Sequence, residues 1–299
     1  MSTEAAPPAR AGGPMGLVGD YVRLTKPRVI SLLLVTTGAA MFIAEGGAPG
    51  GWLLLWTLVG GYLAAGGAGA INHYIDRDID GHMARSDERP VVAGRVAPAN
   101  ALVFGIVLGV LSAVVLVLAA NWLAAVLALA GLGLYVGLYT MWLKRTTFHN
   151  IVIGGSAGAV PPLVGWAAVT GDLGLQAWIL FAIVFYWTPP HFWALSLILK
   201  SDYAAAGVPM LPVVRGDQET KRQVFLWSLV MTAVSLLPVA SGAAGAFYLW
   251  SALALGGVFC TLAFLLWRGE GLRHARATFH YSLLYLALLF VALAIDAGW

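Results

Sequence analysis

The stretch that decides the fold runs from Trp52 to Ile71, WLLLWTLVGGYLAAGGAGAI, and ends in Asn72-His73-Tyr74-Ile75-Asp76-Arg77-Asp78-Ile79-Asp80. An uncharged apolar run of this length matches the roughly 20 residues that carry a helix across a bilayer core. Asn72, Asp76 and Asp80 then follow at a spacing of four. Each step of four overshoots a helical turn by about 40°, so the three side chains share one face over about 12 Å of rise. Two carboxylates and an amide oxygen on one face make a hard oxygen surface of the kind Mg²⁺ prefers. Arg77, Arg85 and Arg89 flank it, and cations beside a metal-binding face point to a ligand bearing phosphate. The competing reading is a solvated, charged helix end; the regular spacing and the arginines count against it. Asp78 lies off the shared face and is expected to be solvated or paired with an arginine.

The rest of the chain has the same character. It is 60% hydrophobic and 10% charged, against about 25% charged in soluble domains, which makes it an all-α polytopic membrane protein. Nine apolar runs qualify as spans: 28–44, 52–72, 99–119, 122–142, 150–169, 176–198, 223–243, 247–267 and 279–297. Prolines make the fifth and sixth irregular, and Pro161-Pro162 hints at a cavity between those two spans. Residues 1–19, rich in Ala, Pro and Gly, read as a disordered cytoplasmic tail without the apolar run of a signal peptide. Residues 20–299 then form one transmembrane domain. Cys260 stands alone in an apolar run and reads as a core residue.

Cation placement orients the spans. Nine spans and a cytoplasmic N-terminus put all 17 Lys and Arg on one side, from Arg10 to Arg276. The other side keeps only short connections with Glu45, Asp172 and Asp296. Chemistry is therefore expected at the cytoplasmic face of a bacterial-type plasma membrane. Two long loops lie there, 73–98 and 199–222, and they echo each other in Pro90-Val91-Val92-Ala93-Gly94-Arg95 and Pro212-Val213-Val214-Arg215-Gly216-Asp217. The echo follows spans two and six, as two four-helix pseudo-repeats plus a ninth helix require. Gly105/Gly109, Gly133/Gly137 and Gly154/Gly158 have the spacing of helix-packing pairs.

Further candidates sit on the same side. In the second loop Asp202 could ligate a second metal and Lys200 contact phosphate, although a helix cap explains them too. Lys144 and Arg145 close the fourth span and suit either diphosphate contact or interface anchoring. His191 lies within the sixth apolar run, after Pro189-Pro190. An ionisable residue there is a functional candidate, with haem ligation as one role and satisfaction of a proline-freed carbonyl as the other. His73 adjoins the acidic motif and could face the same site. No zinc-type cluster, Walker loop, dinucleotide fingerprint or nucleophile elbow is present.

Asn72-x3-Asp76-x3-Asp80, the second polar loop and the nine spans resemble the UbiA-type intramembrane prenyltransferases. Within them, Thr25-Lys26-Pro27-Arg28, Met83-Ala84-Arg85, Tyr139 to Arg145, Gly154 to Pro162, and Asp202-Tyr203 through Gly207-Val208-Pro209-Met210-Leu211-Pro212-Val213-Val214 are similar to the protohaem IX farnesyltransferases, or haem O synthases. That resemblance implies farnesyl transfer from farnesyl diphosphate to a vinyl group of protohaem IX with addition of water, for haem-copper oxidase biogenesis. It implies Mg²⁺ at Asn72, Asp76, Asp80 and Asp202, and diphosphate contacts from Arg85, Arg89, Lys144, Arg145 and Lys200. Haem would meet His191 and His73, and a haem A synthase would be a partner, with no role for nucleic acid. Position 206 is Ala206 where many family members complete a second acidic motif, which puts a full second metal site in doubt. A quinone precursor or chlorophyllide as acceptor is the rival within the class; a secondary transporter is the rival outside it.

Overall fold

The computed structural model describes residues 14–298. Arg10 and residues 1–13 of the expected tail lie outside the described residues. From Pro14 the chain is helical, so residues 14–19 open a helix, α1 (Pro14–Thr25), and are not tail. Its inner face explains the helix: Asp20 and Leu24 are buried, Tyr21 meets Phe104 edge to face at 4.9 Å, and Asp20 accepts from Arg95 Nε at 3.0 Å. Those partners lie about 80 residues away, out of reach of local pattern reading.

Nine longer helices follow: α2 (Pro27–Glu45), α3 (Gly51–Ile75), α4 (Pro98–Ala119), α5 (Trp122–Gly133, prolonged to Thr146), α6 (Asn150–Thr170), α7 (Leu175–Ile198), α8 (Gly216–Val234, prolonged to Ala240), α9 (Ala246–Arg268) and α10 (Arg273–Ala297). Among the described residues these are the nine helices long and apolar enough to cross a membrane, and the chain is an integral multi-pass membrane protein. Helices α8 and α10 begin six or seven residues before their apolar runs. The extra turns are charged; Asp217 and Glu219 sit in the first turn of α8, where the helix dipole favours anions. At the other end of the bundle Asp296 accepts from the backbone N–H groups of Gly245 and Tyr248, capping α9. The two echoing loops share a backbone device: Gly94 and Gly216, each four residues after the motif's proline, have φ of +70° and +80°.

The prolines do not make α6 and α7 irregular. Pro161-Pro162 and Pro189-Pro190 lie inside continuous helices that pack against each other, and neither helix lines the apolar groove of the bundle. Irregularity falls elsewhere: in α5, where Leu134–Leu143 adopts the wider π-helical turn, and in α8, which a turn at Ser235–Leu236 interrupts. In α5 the Thr140 hydroxyl donates five residues back, to the Tyr135 carbonyl at 2.9 Å. A groove of about 650 Å³ does exist, lined by α2, the start of α3 and the end of α10. Its lining, from Leu34 to Gly47 and Val291 to Gly298, is apolar and lies toward the end of the bundle opposite the acidic motif.

Close helix approaches explain part of the glycine content. An ideal Cβ on Gly105 would come within 2.7 Å of the Gly67 carbonyl oxygen, so the 105/109 pair is a genuine contact of α4 with α3. Gly133 and Gly137 meet nothing and serve no such contact; Gly154 abuts Tyr139 while Gly158 is open. The tightest approach is Gly165 of α6, where a Cβ would sit 2.2 Å from the Thr37 carbonyl oxygen of α2. Backbone cannot swing aside as a side chain can. Gly165→Ala is expected to lower stability by about 1–3 kcal/mol, the usual range for overpacking, whereas Gly158→Ala leaves it unchanged. Thermal unfolding of the two variants in detergent checks this.

Candidate active site

Helix α3 ends at Ile75 with Asp76 as its cap, yet its hydrogen-bond register carries on. Asp76 N–H donates to the Asn72 carbonyl at 2.9 Å and Asp80 N–H to the Asp76 carbonyl at 2.8 Å, across a joint into the turn Arg77–Asp80. The spacing of four therefore survives, and Asn72 Nδ2 donates to Asp76 Oδ2 at 2.7 Å. Both carboxylates are fully buried, 0% exposed. Charged groups in such a place need partners.

Those partners come from three other segments. Lys144, at the end of α5, is buried and pairs with Asp76 Oδ2; Arg145 Nη2 donates to Asp76 Oδ1 at 3.3 Å. The Arg145 fork also grips Asp78 at 2.6 and 2.8 Å. That hydrogen bonding holds the Asp78 carboxyl down to about 2. Arg89, from the loop after α3, pairs with Asp80 Oδ2, while Asp80 Oδ1 is buried without a partner. From the joint between α1 and α2, Lys26 Nζ donates to Asn72 Oδ1 at 2.6 Å. Burial, reinforced by Arg89 and Lys144, lowers the Lys26 amine, while Asp80 and Asp76 act in the opposite sense. Finally Asn72 Nδ2 donates to Thr140 Oγ1 at 3.1 Å, which uses the widened turn of α5.

The second loop meets the first through Arg85. Its guanidinium lies 3.9 Å from Asp202 and 4.8 Å from the ring centre of Tyr203, whose hydroxyl burial raises. The network thus brings together Asn72, Asp76, Asp80, Arg89, Lys144 and Arg145, with Arg85 and Asp202 paired beside it. Lys200 is not drawn in; it is half-buried and pairs with Asp217 at 2.7 Å. His73 is buried with neither ring nitrogen bonded, and His191 makes its contacts with α10.

Lys26 and Thr140 lie in segments that carry the family resemblance, but neither has a role at the site assigned from sequence. Lys26 is the one non-glycine residue with positive φ among the described residues, +58°, and it precedes Pro27. A lysine held in the left-handed region stores about 1–3 kcal/mol of strain, which persists only where the surroundings over-determine it. The Lys-Pro pair was the available signal. Nothing local marks Thr140, because its role depends on a π turn.

Counting these contacts gives four cations, Lys26, Arg89, Lys144 and Arg145, against three carboxylates, Asp76, Asp78 and Asp80. A surplus of positive charge around buried oxygen ligands suits a multivalent anion that arrives with a metal. No three His, Cys, Asp or Glu side chains converge into a metal cage among the described residues. Mg²⁺ commonly takes one or two protein carboxylates and completes its shell with water and substrate phosphates. The unpartnered Asp80 Oδ1 fits that mode.

Comparison with known proteins points the same way. The UbiA prenyltransferase family profile matches residues 33–294. The chain belongs to the UbiA prenyltransferase family. It is 56% identical over 280 residues to a protoheme IX farnesyltransferase of Chloroflexus aurantiacus, covering 94% of this chain and 48% of that protein. A relative of the same name from Gloeobacter violaceus is 54% identical and covered over 92% of its length. The chain thus spans about half the length of the Chloroflexus and Roseiflexus relatives. In fold it is similar to a digeranylgeranylglyceryl phosphate synthase (TM-score 0.76, 17% identity, 95% of this chain and 99% of that one). It is also similar to a UbiA homologue from Archaeoglobus fulgidus bound to DMAPP and Mg²⁺ (TM-score 0.67, 15% identity, 92% and 99%).

One outcome follows from the Arg145 fork. The folded Asp78 carboxyl lies below its ordinary value of 3.8, so the pair contributes stability above that pH, lost as pH falls through about 2. Asp78 is largely exposed, which limits the contribution to under about 1 kcal/mol. In Arg145→Gln the Asp78 carboxyl is expected to return toward 3.8, read by carboxyl ¹³C NMR titration.

Proposed function

We propose that this chain transfers the farnesyl group of farnesyl diphosphate to a vinyl group of protohaem IX, with addition of water, giving haem O and diphosphate. The observation that carries the reading is the cationic shell around two fully buried carboxylates, one of them with a free oxygen. A prenyl diphosphate presents what such a shell lacks, a multivalent anion. The names of relatives more than 50% identical favour haem as the acceptor over a quinone precursor or chlorophyllide. A transporter would place its ionisable residues near the membrane midplane; here they gather at one end of the bundle.

In this reading Asp76 and Asp80 hold Mg²⁺, with Asn72 beside them, and Asp202 stands ready for a second ion. Bound Mg²⁺ supplies charge neutralisation that makes diphosphate a good leaving group. Lys144, Arg145, Arg89 and Lys26 exchange their carboxylate and amide partners for diphosphate oxygens, so each cation is pre-positioned and already partly desolvated. Arg85, stacked on Tyr203, closes the site from the second loop. The allylic C–O bond breaks and its electron pair leaves with diphosphate. The haem vinyl carbon bonds to farnesyl C1, water adds to the cation this creates, and a proton is released. Lys200, engaged with Asp217, has no part in this scheme.

The positive-inside distribution supports a cytoplasmic N-terminus and a site at the cytoplasmic face of the plasma membrane. A haem A synthase is the partner to which this reading hands the product.

Mass spectrometry of haem extracted from cells with and without the protein tests the acceptor: the product should carry a hydroxyethylfarnesyl group. Asp76→Ala should reduce transfer to background with normal membrane insertion, and EDTA should stop the wild type. Near-normal transfer in either case removes the centre of the mechanism. Lys26→Gly keeps the left-handed backbone and removes the ammonium. It should weaken farnesyl diphosphate binding by about 10- to 100-fold, the worth of one charged hydrogen bond, with no loss of thermal stability; calorimetric titration reads the first.

A further inference from the structure

His191 lies in α7, and two aromatic rings clamp its imidazole. Trp187, one turn earlier, stacks at 4.3 Å between ring centres and 17° between planes; Phe279 of α10 stacks on it at 5.1 Å and 28°. Its Nδ1 is 2.5 Å from Ser282 Oγ of α10. Which atom carries the proton can be worked out. A serine hydroxyl has one hydrogen, and Ser282 gives it to the Phe279 carbonyl at 2.5 Å. Toward His191 the Ser282 oxygen can only accept. The proton therefore sits on Nδ1, and Nε2 is left with a bare lone pair.

Ser282 is itself held in place. Its backbone carbonyl accepts from Trp187 Nε1 at 2.9 Å, so two side chains of α7, one turn apart, grip the same residue. His191 does not satisfy a proline-freed carbonyl, the alternative role open to it from the sequence. Among the described residues Nε2 has no protein partner, and it is not among the polar atoms sealed from solvent. His73 is the contrast: both its nitrogens are sealed and unbonded, so nothing fixes its tautomer.

We propose that Ser282 is a positioning residue that locks His191 in the Nδ1–H tautomer and thereby presents Nε2 as an axial ligand to the iron of the haem substrate. A neutral imidazole with one nitrogen on iron and the other N–H on a fixed acceptor is the common arrangement at metal centres, and losing the acceptor typically costs about 10- to 100-fold in affinity. The stacked rings supply flat apolar walls beside that nitrogen. The inference rests on the haem reading above and adds the atom by which haem is oriented: iron fixed at Nε2 leaves the macrocycle only rotation about one bond.

Titration of the detergent-purified full chain with ferric haem B, followed by the Soret band and electron paramagnetic resonance, tests it. Wild type should show histidine-ligated iron; His191→Ala should lose that signature and regain it with added imidazole. Ser282→Ala should bind haem about tenfold or more weakly with shifted g-values, raise KM for haem, and bind farnesyl diphosphate as wild type does. Ser282→Thr, which keeps the acceptor, should restore the spectrum. If Ser282→Ala does not fold, Ser282→Cys, a weaker acceptor of similar size, carries the same test. A wild-type spectrum and affinity in the Ser282 variant overturn the positioning role; unchanged iron ligation in His191→Ala overturns the ligand assignment. Failure of the wild type to bind or farnesylate haem sinks the parent reading instead, and needs no variant to detect.

Discussion

Burial of Asp76 and Asp80 is the constraint on which the arrangement of the segments at this end of the bundle depends. Neither carboxylate reaches solvent, and an ion in that position is tolerable only when other charges and dipoles replace its water. The replacements come from the α1–α2 joint, the loop after α3 and the end of α5. Burying two side chains therefore ties together segments spread over residues 26–145. Arg85 extends the tie to the second loop through Asp202 and Tyr203.

Two departures from regular backbone sit in this shell, and each aims a polar group. The left-handed Lys26 directs an ammonium at Asn72 from a turn that proline would otherwise hold extended. The π turn of α5 places Thr140 to bond both its own helix and Asn72. Irregular backbone is costly inside a membrane unless its groups are satisfied, and π turns recur at functional sites. By contrast the four internal prolines, the more visible irregularity in the sequence, leave their helices unbroken. A proline removes one donor, and helices packed in a bundle tolerate that loss.

The acidic motif was legible because its geometry is local: a spacing of four keeps one face whether or not the helix stays continuous through Asp76. The number of spans was legible for a similar reason, since length and apolar composition are summed along the chain. Helix ends at α8 and α10 were not, because charged turns in water carry no hydropathy signal. Helix α1 was missed because its buried face is made by Phe104 and Arg95. Lys144 and Arg145 could be nominated from the sequence, but not the division of labour between them, with one on Asp76 alone and the other shared with Asp78.

The sequence by itself determined a nine-span helical membrane protein with its cations gathered at one end and an oxygen-rich face at the close of the second span. Periodicity, length and charge are properties of neighbours in the chain, so folding does not alter them. Only the tertiary structure decided which cation meets which carboxylate, that Lys26 reaches Asn72 while Lys200 pairs with Asp217, and that His191 stands against Ser282. Those contacts join side chains up to 91 residues apart, and no local pattern encodes such a meeting.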